Sequence, residues 1–174
     1  MVAVDYRFPW DGLITSMKFH GHSEAAGLLA SLLRPMLQAQ AEPVDLVLPV
    51  PLSDLRLRER GFNQAWELAR RLARWHGAPA RHDVLLRVRD TAHQLGLDAE
   101  QRARNLRHAF LVAPAQRQRL RGRHVALVDD VMTTGATAEE AARTLLAAGA
   151  ASVALWVVAR TPPPEKSGPS GTNA

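Results

Sequence analysis

Three apolar runs organise the chain. Residues 44–50 (VDLVLPV), 125–128 (VALV) and 152–159 (SVALWVVA) lack the strict alternation of a half-exposed strand and predict strands covered on both faces. Val84-Leu85-Leu86 predicts a further short strand. Helical spacing fills the intervals. Leu13, Ile14, Met17 and Lys18 follow Pro9 and Gly12 and predict a short helix that Gly21 interrupts. Leu28, Leu29, Leu32, Leu33 and Leu37 predict a longer one over 23–38, with Ser23 as its candidate cap. Asn63 is a candidate N-cap for a helix running to Trp75, with Leu68, Leu72 and Trp75 on one stripe and Gly77 and Pro79 closing it. A helix of uncertain length is expected over 98–108, and another over 137–148 with Gly149 at its end. Residues 51–60 read as a polar, Arg-rich loop, and residues 87–96 as a polar segment with no apolar period.

Apolar strands alternating with amphipathic helices indicate an α/β protein with a parallel sheet of βαβ units. A length of 174 residues fits one domain, which can bury a core without disulfide or metal staples. That domain is expected over residues 1–160. From Thr161 the sequence TPPPEKSGPSGTNA is rich in Pro, Gly and Ser and reads as a disordered tail.

The absence of cysteine excludes disulfides, Cys-ligated zinc, iron–sulfur clusters and thiol nucleophiles. No run approaches the roughly 20 apolar residues of a membrane helix, and the N-terminus lacks the layout of a secretion signal. A soluble cytoplasmic protein without membrane insertion is the expectation. The net charge of +5 rests almost wholly on arginine, with Lys18 and Lys166 the sole lysines. Arg56, Arg58 and Arg60 crowd one expected loop, and Arg117, Arg119, Arg121 and Arg123 another. Such a balance suits phosphates, nucleotides or nucleic acid. It also suits a chain that uses Arg wherever a basic residue is wanted, and charge alone does not choose.

Chemistry concentrates at Val125 to Thr137 (VALVDDVMTTGAT). Asp129 and Asp130 follow a buried strand directly, and ligands of parallel sheets gather at the carboxyl ends of strands. Two carboxylates there can accept hydrogen bonds from a vicinal diol or hold a hydrated metal ion. Thr133, Thr134, Gly135, Ala136 and Thr137 then lead into a helix whose first N–H groups suit a phosphate, with Gly135 letting the backbone approach. Thr137 and Glu140 have capping-box spacing. The combination describes a ribose-phosphate cradle. A nucleoside triphosphatase would need a G-x-x-x-x-G-K-[ST] loop, and neither lysine follows a glycine-rich loop. A phosphoacceptor domain lacks the Thr-Thr-Gly turn after its acids. A purely structural turn leaves two adjacent carboxylates without a ligand or cation to offset them.

This segment resembles the phosphoribosyl-pyrophosphate motif of type I phosphoribosyltransferases. Leu48-Pro49-Val50-Pro51-Leu52 with Arg56 to Gln64 (RLRERGFNQ) is similar to a signature of the ComF (GntX-like) branch. So are Arg89-Asp90-Thr91 with His93-Gln94-Leu95, then Arg102, Asn105 and Phe110, and the N-terminal Tyr6 to Gly21. The resemblance covers the chain to about Arg160. It implies a three-layer fold, a mostly parallel twisted sheet flanked by helices, with a flexible hood loop over 87–96. It implies that Asp129 and Asp130 hold the ribose hydroxyls and that residues 133–137 wrap the 5′-phosphate. Leu52, Ser53 and Asp54, with Arg56 and Arg60, would form the pyrophosphate loop, and Gln94 and Arg102 would meet substrate from the hood. Mg²⁺ would act through substrate and water.

The implied activity is transfer of a phosphoribosyl group from 5-phosphoribosyl pyrophosphate to a nitrogen acceptor. The rival reading is a non-catalytic competence protein in DNA uptake, meeting single-stranded DNA or the competence machinery, or a nucleotide sensor; a homodimer is compatible with either. Single-strand binding uses aromatic platforms, and Tyr6, Phe8 and Trp10 cluster near the N-terminus, where packing competes as their role. The branch usually carries an N-terminal cysteine-rich zinc segment. This chain has no cysteine and starts where that segment would end, so it is a short form or lacks the module.

Overall fold

In the computed structural model, residues 1–20, 23–40, 42–89 and 106–162 are described. The predicted parallel sheet forms, with one strand more than the apolar runs announce. Strands β1 (Val2–Asp5), β2 (Leu46–Pro49), β5 (His124–Met132) and β6 (Ser152–Arg160) pair in the order β1-β6-β5-β2, every pair parallel. A separate antiparallel pair joins β3 (Leu85–Arg87) to β4 (Phe110–Val112). The helices are α1 (Trp10–His20), α2 (Ser23–Ala39), α3 (Asp54–Arg60), α4 (Gln64–His76), α5 (Arg117–Leu120) and α6 (Ala136–Ala147).

The two faces of the sheet are covered by different partners. Val47, Ala126, Val128, Trp156 and Val158 meet Ile14 and Met17 of α1, Leu29 and Leu33 of α2, and Leu68 and Leu72 of α4. Leu46, Leu48, Val125 and Leu127 meet Leu145 of α6, Leu120, and the β3–β4 residues Leu85, Phe110 and Val112. This is why Val125 to Val128 carries no polar residue: successive side chains point to opposite faces, and both are buried. Each buried Val or Leu side chain among them contributes about 1.5–3 kcal/mol relative to exposure.

Several expectations change. Residues 54–60 are helical, not a loop; Ser53 caps the helix and Gly61 ends it in the left-handed region. Residues 117–120 also form a turn of helix. The strand near Val84 pairs outside the main sheet. Trp75 does not share the stripe of Leu68 and Leu72: the buried face of α4 is Gln64, Ala65, Leu68, Ala69, Leu72 and Ala73, and Trp75 is exposed. Phe8 is 87 % exposed, so packing does not account for it, whereas Tyr6 lies against the core. No helix among the described residues is long and apolar enough to cross a membrane.

Candidate functional site

The sheet places the acid pair where one strand outruns its neighbour. β2 pairs with β5 only as far as Pro49 opposite Val128, after which Val50 N–H still donates to Val128 O at 2.8 Å. On its other side β5 stays paired with β6 to Met132 opposite Arg160. The end of β5 from Asp129 onward therefore borders the residues that follow β2 rather than another strand. Asp129 is half-buried and Asp130 buried.

Asp130 follows Val128 toward the α1 side, where its Oδ2 lies 3.0 Å from Lys18 Nζ. Asp129 Oδ1 accepts the Asp130 backbone N–H at 2.9 Å. The two groups sense each other. Burial, and after it the Asp130 charge, pushes the Asp129 carboxyl well above its ordinary range, with Lys18 pulling the other way. Lys18 is the residue that sequence reasoning missed at this site. Its one signal was being a lysine in an arginine chain; the contact itself is tertiary.

The turn after β5 is open. Thr133 and Thr134 are exposed, while Gly135, Ala136 and Thr137 are half-buried. Gly135 is the N-cap of α6, at φ 83°, and supplies no side-chain hydrogen bond to the helix. Thr134 Oγ1 reaches Ala136 N–H only at 3.4 Å. The expected capping box between Thr137 and Glu140 does not form, because the N-cap is Gly135 and Thr137 already lies inside the first turn; Glu140 is used elsewhere. It accepts from His108 N–H at 2.7 Å and from Arg143 at 2.6 and 2.9 Å. These bonds, Arg143 foremost, hold the Glu140 carboxyl below its usual range. A cleft of about 440 Å³ lies alongside, lined by Arg107, His108, Ala136, Glu139, Glu140 and Arg143, and it shares only Ala136 with the turn.

The segment after β2 is closed by comparison. Leu52 is half-buried, Ser53 buried and Asp54 exposed. The Ser53 hydroxyl faces inward, accepting from Arg56 N–H at 3.5 Å. Asn63 then caps α4 and also ties the segment back, its Nδ2 donating to Val50 O at 3.1 Å. Arg56 and Arg60 are half-buried and make no ion pair among the described residues. Of the expected hood only Arg87, Val88 and Arg89 are described; Gln94 and Arg102 lie outside the described residues.

Comparison with known proteins identifies the family and the fold. The phosphoribosyl transferase domain profile matches residues 47–169. The DNA utilization protein YhgH of Salmonella typhi is 42 % identical over 163 residues, covering 90 % of this chain and 70 % of that protein. Competence protein F of Haemophilus influenzae is 40 % identical over 116 residues, 67 % of this chain and 50 % of its own length. Competence protein ComFC of Bacillus subtilis is 34 % identical over 121 residues, covering 67 % and 45 %. Among solved structures, the glutamine phosphoribosylpyrophosphate amidotransferase of B. subtilis superposes with a TM-score of 0.52 at 21 % identity, over 77 % of this chain and 26 % of that one.

Proposed function

The chain belongs to the ComF branch of the type I phosphoribosyltransferase family, and on that premise we propose that it binds 5-phosphoribosyl pyrophosphate with Mg²⁺ and transfers the phosphoribosyl group to a nitrogen acceptor. One observation carries the reading: an acid pair near the end of a central strand is followed by a turn with exposed threonines and a helix whose N-cap, Gly135, supplies no side-chain hydrogen bond. Asp129 and Asp130 take the ribose hydroxyls, and the amides and hydroxyls of Thr133, Thr134, Gly135, Ala136 and Thr137 take the 5′-phosphate. The backbone of Leu52, Ser53 and Asp54 with the Arg56 and Arg60 guanidiniums takes the pyrophosphate, which arginine grips in bidentate fashion.

The donor set suits Mg²⁺ brought by the substrate. Two adjacent carboxylates offer hard oxygen atoms, and no group of three or more His, Asp or Glu side chains among the described residues forms a complete protein cage. When bound, Mg²⁺ would neutralise pyrophosphate oxygens and stabilise the leaving group. In the reaction the acceptor nitrogen forms a bond to the anomeric carbon while the bond to pyrophosphate breaks, the electron pair leaving with it. Asp129 and Asp130 offset the positive charge that develops on the sugar ring. Asp129→Asn or Asp130→Asn lowers affinity for the Mg²⁺-bound sugar pyrophosphate by about tenfold or more, read by isothermal titration. Unchanged heats in both variants remove the site assignment.

A second reading has support of its own. The relatives are named for DNA utilization and competence, and Phe8 stands exposed beside a basic chain. In this reading the same pocket senses a nucleotide or sugar phosphate while the protein serves single-stranded DNA uptake, without catalysis. Offering purines, pyrimidines and simple amines with labelled sugar pyrophosphate separates the two: pyrophosphate release supports transfer, and binding without release supports the sensor.

A further inference from the structure

The acid pair has a partner that the site's own strand and turn do not supply. Lys18 lies on α1, whose backbone is fixed by Ile14 and Met17 in the core. Its ammonium sits 3.0 Å from Asp130 Oδ2, and the two side chains are 21 % and 6 % exposed. That oxygen is shut off from solvent and receives no aligned hydrogen bond; the ammonium meets it as an ion pair by distance. The residual exposure of the Asp130 side chain belongs to the rest of the carboxyl group and its methylene. One oxygen is thus tied inward, which sets the direction of the other.

The choice of residue is informative as well. Of 22 basic residues in the chain all but two are arginine, and the other lysine, Lys166, lies outside the described residues. A chain that writes Arg almost everywhere places a lysine against its acid pair. Lysine presents a compact point charge, whereas arginine presents a planar fork. A buried carboxylate beside a second acid needs a cation to remain compatible with the fold. A cation contributed from the N-terminal helix meets that need without occupying the turn.

We infer that Lys18 is a positioning residue of the sugar site: by holding Asp130 Oδ2 it fixes the carboxylate in the orientation that accepts a ribose hydroxyl. The inference rests on the sugar-phosphate reading above, and it assigns to α1 a part in ligand binding. The rival is a structural tie between α1 and β5 that binding never consults.

The test titrates Mg²⁺-bound 5-phosphoribosyl pyrophosphate into the full chain as wild type, Lys18→Met, Lys18→Arg, Asp130→Asn and the Lys18→Met/Asp130→Asn double variant, with a thermal melt of each. Lys18→Met is expected to bind about tenfold more weakly, with Lys18→Arg between it and wild type because the charge is kept but the compact ammonium is not. In the Asp130→Asn background, loss of Lys18 changes affinity by less than about twofold, because its effect passes through that carboxylate. If wild type and Lys18→Met bind equally while only the melting temperature falls, the structural tie is right and the inference is overturned. Tighter binding by Lys18→Met, or full additivity in the double variant, overturns it too. Should wild type bind no sugar pyrophosphate at all, the sugar-phosphate reading fails and takes this inference with it.

Discussion

Two strand-to-helix turns leave neighbouring parallel strands at the carboxyl edge of the sheet, and they are built in opposite ways. Between β2 and α3 the chain turns through an ordinary extended residue, Ser53, at φ −68° and ψ 156°, whose hydroxyl caps the helix. Between β5 and α6 it turns through Gly135 at φ 83° with no side-chain cap, and two carboxylates precede it. In the first turn the backbone donors are partly satisfied from within. In the second the N-cap supplies none, and Thr134 Oγ1 reaches only the Ala136 N–H, at 3.4 Å, leaving the other donors for something else next to an acid whose ionised form burial and a like charge disfavour. A local sequence optimised for stability resembles the first; a site that awaits a ligand resembles the second, since the ligand then supplies the missing partners. The chemistry differs accordingly: the closed turn offers guanidiniums, the open one amides.

The contrast breaks most sharply at its glycines. Gly135 and Gly61 have nearly the same left-handed backbone, φ 83° and 77°, but only the first stands in the open turn. A β-branched residue at either position costs about 1–2 kcal/mol. Gly135→Val is therefore expected to lower affinity for ribose 5-phosphate by about five- to thirtyfold, as the amides leave their positions. Gly61→Val costs similar stability but lowers affinity less than about threefold. Calorimetric titration of both variants decides it, and equal losses would show that backbone strain rather than an amide cradle sets binding.

How much of this was legible in the sequence follows the same divide. The open turn announces itself, because Val125 to Val128 is buried on both faces and the acids follow with no spacer. Asn63 was also readable as a cap, since the bonds its side-chain oxygen accepts are local, from the Ala65 and Trp66 amides; its tie to Val50 O is not local and was not readable. The helix over Asp54–Arg60 was not, because it buries none of its residues and so prints no apolar period. Strand β1 was missed for another reason: its partner, β6, lies at the far end of the chain, and four residues at an edge carry little pattern. Lys18 against Asp130 and Glu140 against His108 are tertiary pairings that no local spacing encodes. The hood positions Gln94 and Arg102 lie outside the described residues.

A smaller effect sharpens the comparison through pH. For Asp129 the folded protein favours the protonated carboxyl, its affinity for the proton raised above the ordinary value of 3.8. The folded state therefore binds more protons than the unfolded one between these two values, and stability falls as pH rises through that window. Asp129→Asn removes the charge while keeping an acceptor for the Asp130 N–H. At pH 7 the variant is expected to melt about 2–4 °C higher than wild type, the shift that roughly 1 kcal/mol produces at this size. Below pH 3.8 the difference closes. A variant that melts lower than wild type at pH 7 would mean that the carboxylate is not a stored cost.

The smallest effect belongs to the closed turn and carries the opposite sign. Ser53→Ala removes a cap whose hydrogen bond is long, 3.5 Å, so the loss sits near the low end for caps, about 0.5 kcal/mol, or 1–2 °C in a thermal melt. Because the hydroxyl faces inward, affinity for the sugar pyrophosphate falls by no more than about threefold, while the neighbouring Arg56→Gln, whose guanidinium has no ion-pair partner among the described residues, costs about tenfold. The pairing of these two variants is what tells loop support from ligand contact. If Ser53→Ala weakens binding as much as Arg56→Gln does, the hydroxyl turns outward when ligand arrives, and the two turns are alike in function despite their different resting geometry.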